Sequence, residues 1–152
     1  MIVLGIDAAA RTGLAVVDSR GDLRYHRAIT PGVPYRERLR ILEDIAAMFP
    51  GLGAVVIEVP PKFGDKAAST AKVNNRAGEW MALVQLTDLP EIVEAMPGQW
   101  RARVGMPQGR RKREVLKRMA KAMCLHRWGV ELSEDEADAA MIALAYACPV
   151  AP

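Results

Sequence analysis

Four acidic residues, Asp7, Glu58, Asp135 and Asp138, are the chemistry this chain offers first. Asp7 closes the apolar run Ile2-Val3-Leu4-Gly5-Ile6, and Glu58 closes Ala54-Val55-Val56-Ile57. A carboxylate at the end of a buried strand carries a heavy desolvation cost unless a cation meets it. Asp135 and Asp138 stand three positions apart, so on a helix they share one face. Four converging carboxylates would repel one another, and a divalent cation is what would let them coexist. Mg²⁺ and Mn²⁺ take oxygen ligands, and two such ions ~4 Å apart can clamp an in-line phosphoryl displacement. The set reads as a nuclease-like metal cage. Taken singly, each acid also has a plainer role open to it. Asp7 could cap the following turn, Glu58 could be solvated before Pro60-Pro61, and Asp135 could serve the helix dipole. Asp138, one turn further in among Ala137, Ala139 and Ala140, is harder to explain that way.

The elements that must position these acids follow from the hydrophobic pattern. Strands are expected at 2–7, 12–18 and 23–29, an antiparallel meander with a turn at Asp18-Ser19-Arg20-Gly21-Asp22. Leu39, Leu42, Ile45, Ala46 and Phe49 have helical spacing within 35–49, and Pro50-Gly51 stops that helix. A fourth strand at 54–58 runs into a loop from Pro60 to Lys66 that carries Lys62, Phe63 and Lys66. A long helix over 68–87 and a fifth strand over 91–96 come next, the strand ending at Met96-Pro97-Gly98. Basic residues then lead through a Gly105…Gly109 loop into a helix over 110–128. That helix is expected to bury Val115, Leu116, Met119, Ala122 and Met123 and to expose Arg113, Lys117 and Lys121. Ser133-Glu134-Asp135-Glu136 fits a capping box and puts Asp135 in the first turn of the last helix. The order β-β-β-α-β-α-β-α-α implies an α/β fold, a five-stranded mixed sheet flanked by helices on both faces.

The chain has 152 residues, 51% of them hydrophobic, with no internal repeat or linker, so a single domain spanning 1–152 is expected. No apolar run approaches the ~20 residues of a membrane span. Met1 leads straight into a strand with no basic flank or cleavage site, so a secretory signal is not expected. Two cysteines, Cys124 and Cys148, are too few for a disulfide framework and suit a reducing cytoplasm. Cys124 and His126 lack zinc-site spacing, and a helical core is the expected home of both.

Charge is segregated. From Arg101 to Lys121 nine Lys and Arg stand against Glu114 alone, a local excess of eight; the whole chain carries only +3, so the remainder is net acidic. A basic block beside an acidic cluster suits a polyanion held by the first and cut by the second, although a solvated helix face would also carry such charges.

At these residues the chain resembles the RuvC-type Holliday-junction resolvases of the RNase H-like superfamily. Leu4-Gly5-Ile6-Asp7 with Thr12-Gly13 is similar to the family's first strand and catalytic aspartate, and Val56-Ile57-Glu58 to the strand of its second acid. Lys72 to Gly78 resembles the helix that forms the family's dimer interface. Val104-Gly105…Lys112…Val115 resembles the basic loop and helix that contact DNA, and Asp135-Glu136-Ala137-Asp138-Ala139 the closing Asp-x-x-Asp-Ala motif. Two departures stand out: Ala8-Ala9 replaces the usual Pro-Gly, and Pro61 occupies the position of an aromatic wedge, with Phe63 two residues on.

The resemblance implies a homodimer that cuts two strands of a four-way DNA junction symmetrically, leaving 5′-phosphate and 3′-hydroxyl ends. It implies two Mg²⁺ per active site, replaceable by Mn²⁺, on Asp7, Glu58, Asp135 and Asp138. Lys62, Lys66, Arg101, Arg110, Arg111, Lys112 and Lys117 are the expected DNA-binding residues, with Lys112 the best match to the family lysine. Phe63 either stacks on a base, worth ~1–3 kcal/mol, or packs its own loop. Arg76, Trp80 and Met81, on the long helix, are the expected dimer-interface residues, and a branch-migration helicase is a further partner the resemblance suggests. Three rivals remain: an RNA–DNA hybrid nuclease drawing a carboxylate from Glu43, a DNA-binding scaffold without activity, and an actin-like phosphotransferase fragment. The last lacks a glycine-rich phosphate cradle at Ala8-Ala9-Ala10. His26 and His126 are read as structural or surface residues.

Overall fold

Three strands open the chain, β1 (Ile2–Asp7), β2 (Thr12–Val17) and β3 (Leu23–Ile29), each antiparallel to the one before. The computed structural model describes residues 1–60, 67–107 and 109–148, with the backbone alone for 67–74. Helix α1 (Tyr35–Met48) then crosses to β4 (Leu52–Glu58), which lies parallel to β1. Helix α2 (Ala67–Gln85) crosses to β5 (Ile92–Ala95), parallel to β4. The sheet order is β3-β2-β1-β4-β5, and α3 (Pro97–Arg103), α4 (Arg113–Trp128) and α5 (Glu134–Ala147) complete the chain. Among the described residues no helix is long and apolar enough to cross a membrane.

Strand alternation sorts the core into two layers. Val3 and Val56 face one core, which also holds Trp100, Ala120, Cys124, Met141 and Ile142 of α3, α4 and α5. Leu4, Ile6, Val55 and Ile57 face the other, with Ile41, Leu42, Ile45, Trp80 and Val84 of α1 and α2. The period of two therefore sends Asp7, four residues after Val3, and Glu58, two after Val56, to the α5 side of the sheet. Helix α5 is buried almost all round, and it lies close on β1 and β2 because the sheet gives it glycines: a Cβ on Gly5 would stand 2.2 Å from the Ala139 carbonyl oxygen.

The expected strands and the two-sided arrangement agree with the structure, and three details differ. Helix α3 was not expected, because Pro97-Gly98 reads as a stop; Pro97 instead occupies the first helical turn, where its missing N–H costs nothing. Helix α4 starts at Arg113 rather than 110, and its buried positions are Ala120 and Cys124, while Ala122 is exposed and Lys117 turns inward. Cys124 is in the core as expected, but His126 lies on the surface in the last turn of α4.

Candidate active site

Parallel pairing of Ile6 with Ile57 brings the ends of β1 and β4 side by side, and the acids that close them into one cleft. Asp138 and Asp135 enter that cleft from the first turns of α5, whose start is set by Ser133: its hydroxyl accepts from the Glu136 N–H, and the Glu136 carboxylate accepts from the Ser133 N–H. A second anchor for this turn is His26 of β3, whose Nδ1 pairs with the Glu136 carboxylate. All four sequence-predicted acids line the same cleft, together with Arg11, Arg76, Arg101, Arg111, Arg113 and Lys117.

The loop from Asp7 to Thr12 is held locally. The Thr12 hydroxyl donates to the Ala9 carbonyl at 3.1 Å and accepts from the Trp80 indole N–H at 3.1 Å. This corrects the expectation for Trp80: at 2% exposed it packs in the α1–α2 core and supports the loop that follows β1, so it is not a free interface side chain. Met81 is half-buried against the same core, and Arg76 lines the cleft.

Electrostatically the cleft is strained toward positive ligands. Burial, then the charges of Glu58 and Asp138, push the Asp7 carboxyl well above the usual range. Burial also raises Glu58, Asp135 and Asp138, with partial relief from the Trp100 N–H at Glu58 and from Lys117 at the two aspartates. The Lys117 ammonium lies 2.8 Å from Asp138 Oδ2 and 3.9 Å from Asp135 Oδ1. Burial works against its charge, but the surrounding acids, Asp138 foremost, outweigh that and raise its affinity for the proton. Lys117 was expected on the exposed DNA-facing side of its helix; the structure instead seats it in the cleft, because position 117 lies one helical turn before the buried Ala120 and Cys124 face.

Among the described residues no three carboxylate, imidazole or thiol groups close into a ready-made cage; the lysine is the cation that Asp135 and Asp138 share. The donor set nevertheless fits Mg²⁺ or Mn²⁺, since all four groups are hard oxygen donors. One of them, Asp7 Oδ2, is fully buried with no hydrogen-bond partner among the described residues, which is the condition a cation relieves.

Lys117→Met tests this balance. Removing one partner from a buried pair leaves an uncompensated charge, costing about 3 kcal/mol. Metal-free Lys117→Met should melt roughly 6–12 °C below the parent, and millimolar Mg²⁺ should restore more stability to the variant than to the parent. Equal melting temperatures with and without Mg²⁺ would remove Lys117 from the charge balance of the site.

The other expected residues are dispersed. Arg101 and Arg111 line the cleft, whereas Arg110 and Lys112 are exposed outside it. Lys62, Phe63 and Lys66 lie outside the described residues. Glu43 is exposed and does not line the cleft; it lines a separate pocket with Leu52, the residue that starts β4 roughly 20 Å at strand rise from Glu58. Arg11, Trp100 and Arg113 were missed. Arg11 sits between Asp7 and Thr12 in the first motif, and Trp100 directly precedes Arg101, so adjacency to motif residues was the available signal.

The sheet order, the parallel β1–β4 pair and the acids at their ends define an RNase H-like fold. More particularly, it is the fold of the RuvC-type resolvases. The chain is similar to Thermus thermophilus RuvC in complex with a Holliday junction substrate, at 21% identity and a TM-score of 0.67, over 97% of this chain and 92% of that one. It is similar to another structure of Thermus thermophilus RuvC at 24% identity and a TM-score of 0.65, over 97% and 93%. The yeast mitochondrial Holliday junction resolvase Ydc2 aligns at 14% identity and a TM-score of 0.53, over 95% and 77%. No family model and no curated protein matches the sequence.

Proposed function

We propose that this chain is a metal-dependent endonuclease that resolves four-way DNA junctions, nicking two strands symmetrically as a homodimer. The observation that carries the reading is the convergence of Asp7, Glu58, Asp135 and Asp138 in one arginine-ringed cleft, on a fold shared with a resolvase solved on its junction substrate. The four acids would hold Mg²⁺ or Mn²⁺, two ions in the full set, which when bound supply water activation and charge neutralisation at phosphorus. Arg101, Arg111 and Arg113, which line the cleft, would hold the backbone phosphates, and Arg11, whose charge acts on Asp135, lines the same cleft. Water adds to phosphorus, the P–O3′ bond breaks, and the departing 3′ oxygen takes a proton, giving 5′-phosphate and 3′-hydroxyl ends. An isologous dimer presents two such clefts about a two-fold axis, which suits a pseudo-symmetric junction. Two free cysteines suit a reducing cytoplasm. The resolvase reading is favoured over a hybrid nuclease because Glu43, the carboxylate the latter would draw on, lines a different pocket from the four acids.

A labelled four-way junction incubated with the protein in Mg²⁺ or Mn²⁺ tests the reading, alongside a linear duplex of matching sequence and the Asp7→Asn variant. Paired symmetric nicks are expected on the junction only, and only with the parent protein. Junction binding without cleavage in either ion, across several junction sequences, would make the chain a DNA-binding scaffold.

A further inference from the structure

Glu58 differs from the other three acids in reach. Its side chain has one more rotatable bond than an aspartate, and it leaves the sheet at the very end of β4, where the chain turns into Val59 and Pro60. A ligand on so long a tether needs an external hold if it is to meet a cation in one orientation.

The hold comes from α3, a helix with no acidic residue of its own. Glu58 pairs with Ala95 of β5, and the pairing continues one step further, with the Val59 N–H donating to the Ala95 carbonyl at 2.9 Å. That extension places the start of α3 directly beside Glu58. The helix begins sharply: Pro97 fills the first turn, and the Gln99 side chain accepts from the Met96 N–H at 3.0 Å. Trp100 follows one turn in. Its ring is fully buried in the core beneath α5, and its indole N–H donates to Glu58 Oε2. The Arg101 guanidinium lies over the ring at 5.0 Å. Packing locks the ring, and the indole offers one donor and no acceptor, so the bond has a fixed direction.

We propose that Trp100 is the positioning residue for Glu58: its buried N–H anchors Oε2 and so sets the plane in which the carboxylate meets a metal ion. The proposal rests on the reading of Glu58 as a metal ligand. Core packing alone would require only an aromatic ring at position 100. The polar end of the indole, aimed at a cleft acid rather than at solvent or backbone, is what packing leaves unexplained.

Trp100→Phe keeps a ring and removes the donor. With the variant folded by circular dichroism, Mn²⁺ affinity of the DNA-free protein should fall roughly 10–100-fold, the usual consequence of losing an outer hydrogen bond to a ligand. kcat for junction nicking should fall with it, while KM for the junction stays unchanged. Parent-like Mn²⁺ affinity and kcat in a folded Trp100→Phe would overturn the proposal. Should that variant not fold, the ¹⁵N-labelled parent supplies the readout: the Trp100 indole resonance should move in Glu58→Gln and on addition of Mg²⁺. An indole signal indifferent to both would equally overturn it. A parent protein that binds no Mn²⁺ and nicks no junction would instead remove the metal-ligand reading, and with it the role assigned to Trp100, even if Glu58→Gln still moved the indole signal.

Discussion

Asp7→Asn will abolish junction nicking and at the same time make the metal-free protein more stable. Asp7 is buried, its Oδ2 has no hydrogen-bond partner among the described residues, and Glu58 and Asp138 press their charge upon it. Its carboxyl therefore holds a proton to higher pH in the folded chain than in the unfolded one, where it titrates near 3.8. Below the unfolded value both states are protonated and nothing is lost. Between 3.8 and the raised folded value the unfolded chain releases its proton while the folded chain keeps it, so stability falls as pH rises through that window and levels off above it. Asparagine has nearly the same shape and no charge, so the variant should gain about 1–2 kcal/mol at neutral pH, roughly 2–8 °C in melting temperature. The gain should shrink as pH falls toward 4. Saturating Mg²⁺ should stabilise the parent through binding and the variant much less. Nicking should drop by at least about 10³-fold, because on the proposed reading Asp7 is a ligand of the reacting centre. Thermal melts across pH, with and without Mg²⁺, check all of this; an Asp7→Asn variant that is less stable than the parent at neutral pH would contradict the assignment of Asp7 as a strained, cation-seeking group.

The second large effect belongs to a residue with no functional group. A Cβ on Gly13 would stand 1.9 Å from the Asp135 carbonyl oxygen, 2.3 Å from its carbon and 2.9 Å from the Glu136 nitrogen. All three are backbone atoms, so no side chain can turn away and the start of α5 itself must lift off β2. Overpacking of this kind costs about 3 kcal/mol or more, which corresponds to roughly 6–12 °C for a chain of this size. Because Asp135 and Asp138 ride on that turn, nicking by Gly13→Ala should fall even at temperatures where the variant is folded. Gly78→Ala is the control. Among the described residues a Cβ there meets nothing within 4 Å, and position 78 lies inside α2, so the change should raise stability by up to about 1 kcal/mol. A Gly13→Ala variant that melts with the parent would show that α5 does not approach β2 as closely as described.

The first segment shows how much could be read before folding. An unbroken apolar run that ends in an acid is legible as a buried strand with a costly terminus, and Ile2–Asp7 is that strand. The Ser133 capping box was legible for the same reason: it depends on residues within one turn of each other, and α5 begins where the box requires. By contrast, Lys117 lies in a basic run that looks like a solvated face, and Trp80 lies on a helix flank that looks free to meet a second copy. Each is claimed by a partner far along the chain, Lys117 by Asp138 and Trp80 by Thr12. The helix that carries Trp100 was hidden by Pro97-Gly98, since a proline reads as a stop until the preceding strand shows it to be a first turn.

What the sequence by itself determined is therefore the strands, most of the helices and the identity of the four acids, because local periodicity and capping act within a few residues. The tertiary structure alone decided which cation neutralises Asp138, what holds Glu58, and why position 13 has no side chain. Those depend on β1 lying beside β4, on α5 lying against β2 and on β5 delivering α3. Each of these contacts joins residues tens of positions apart, so no local pattern could carry it.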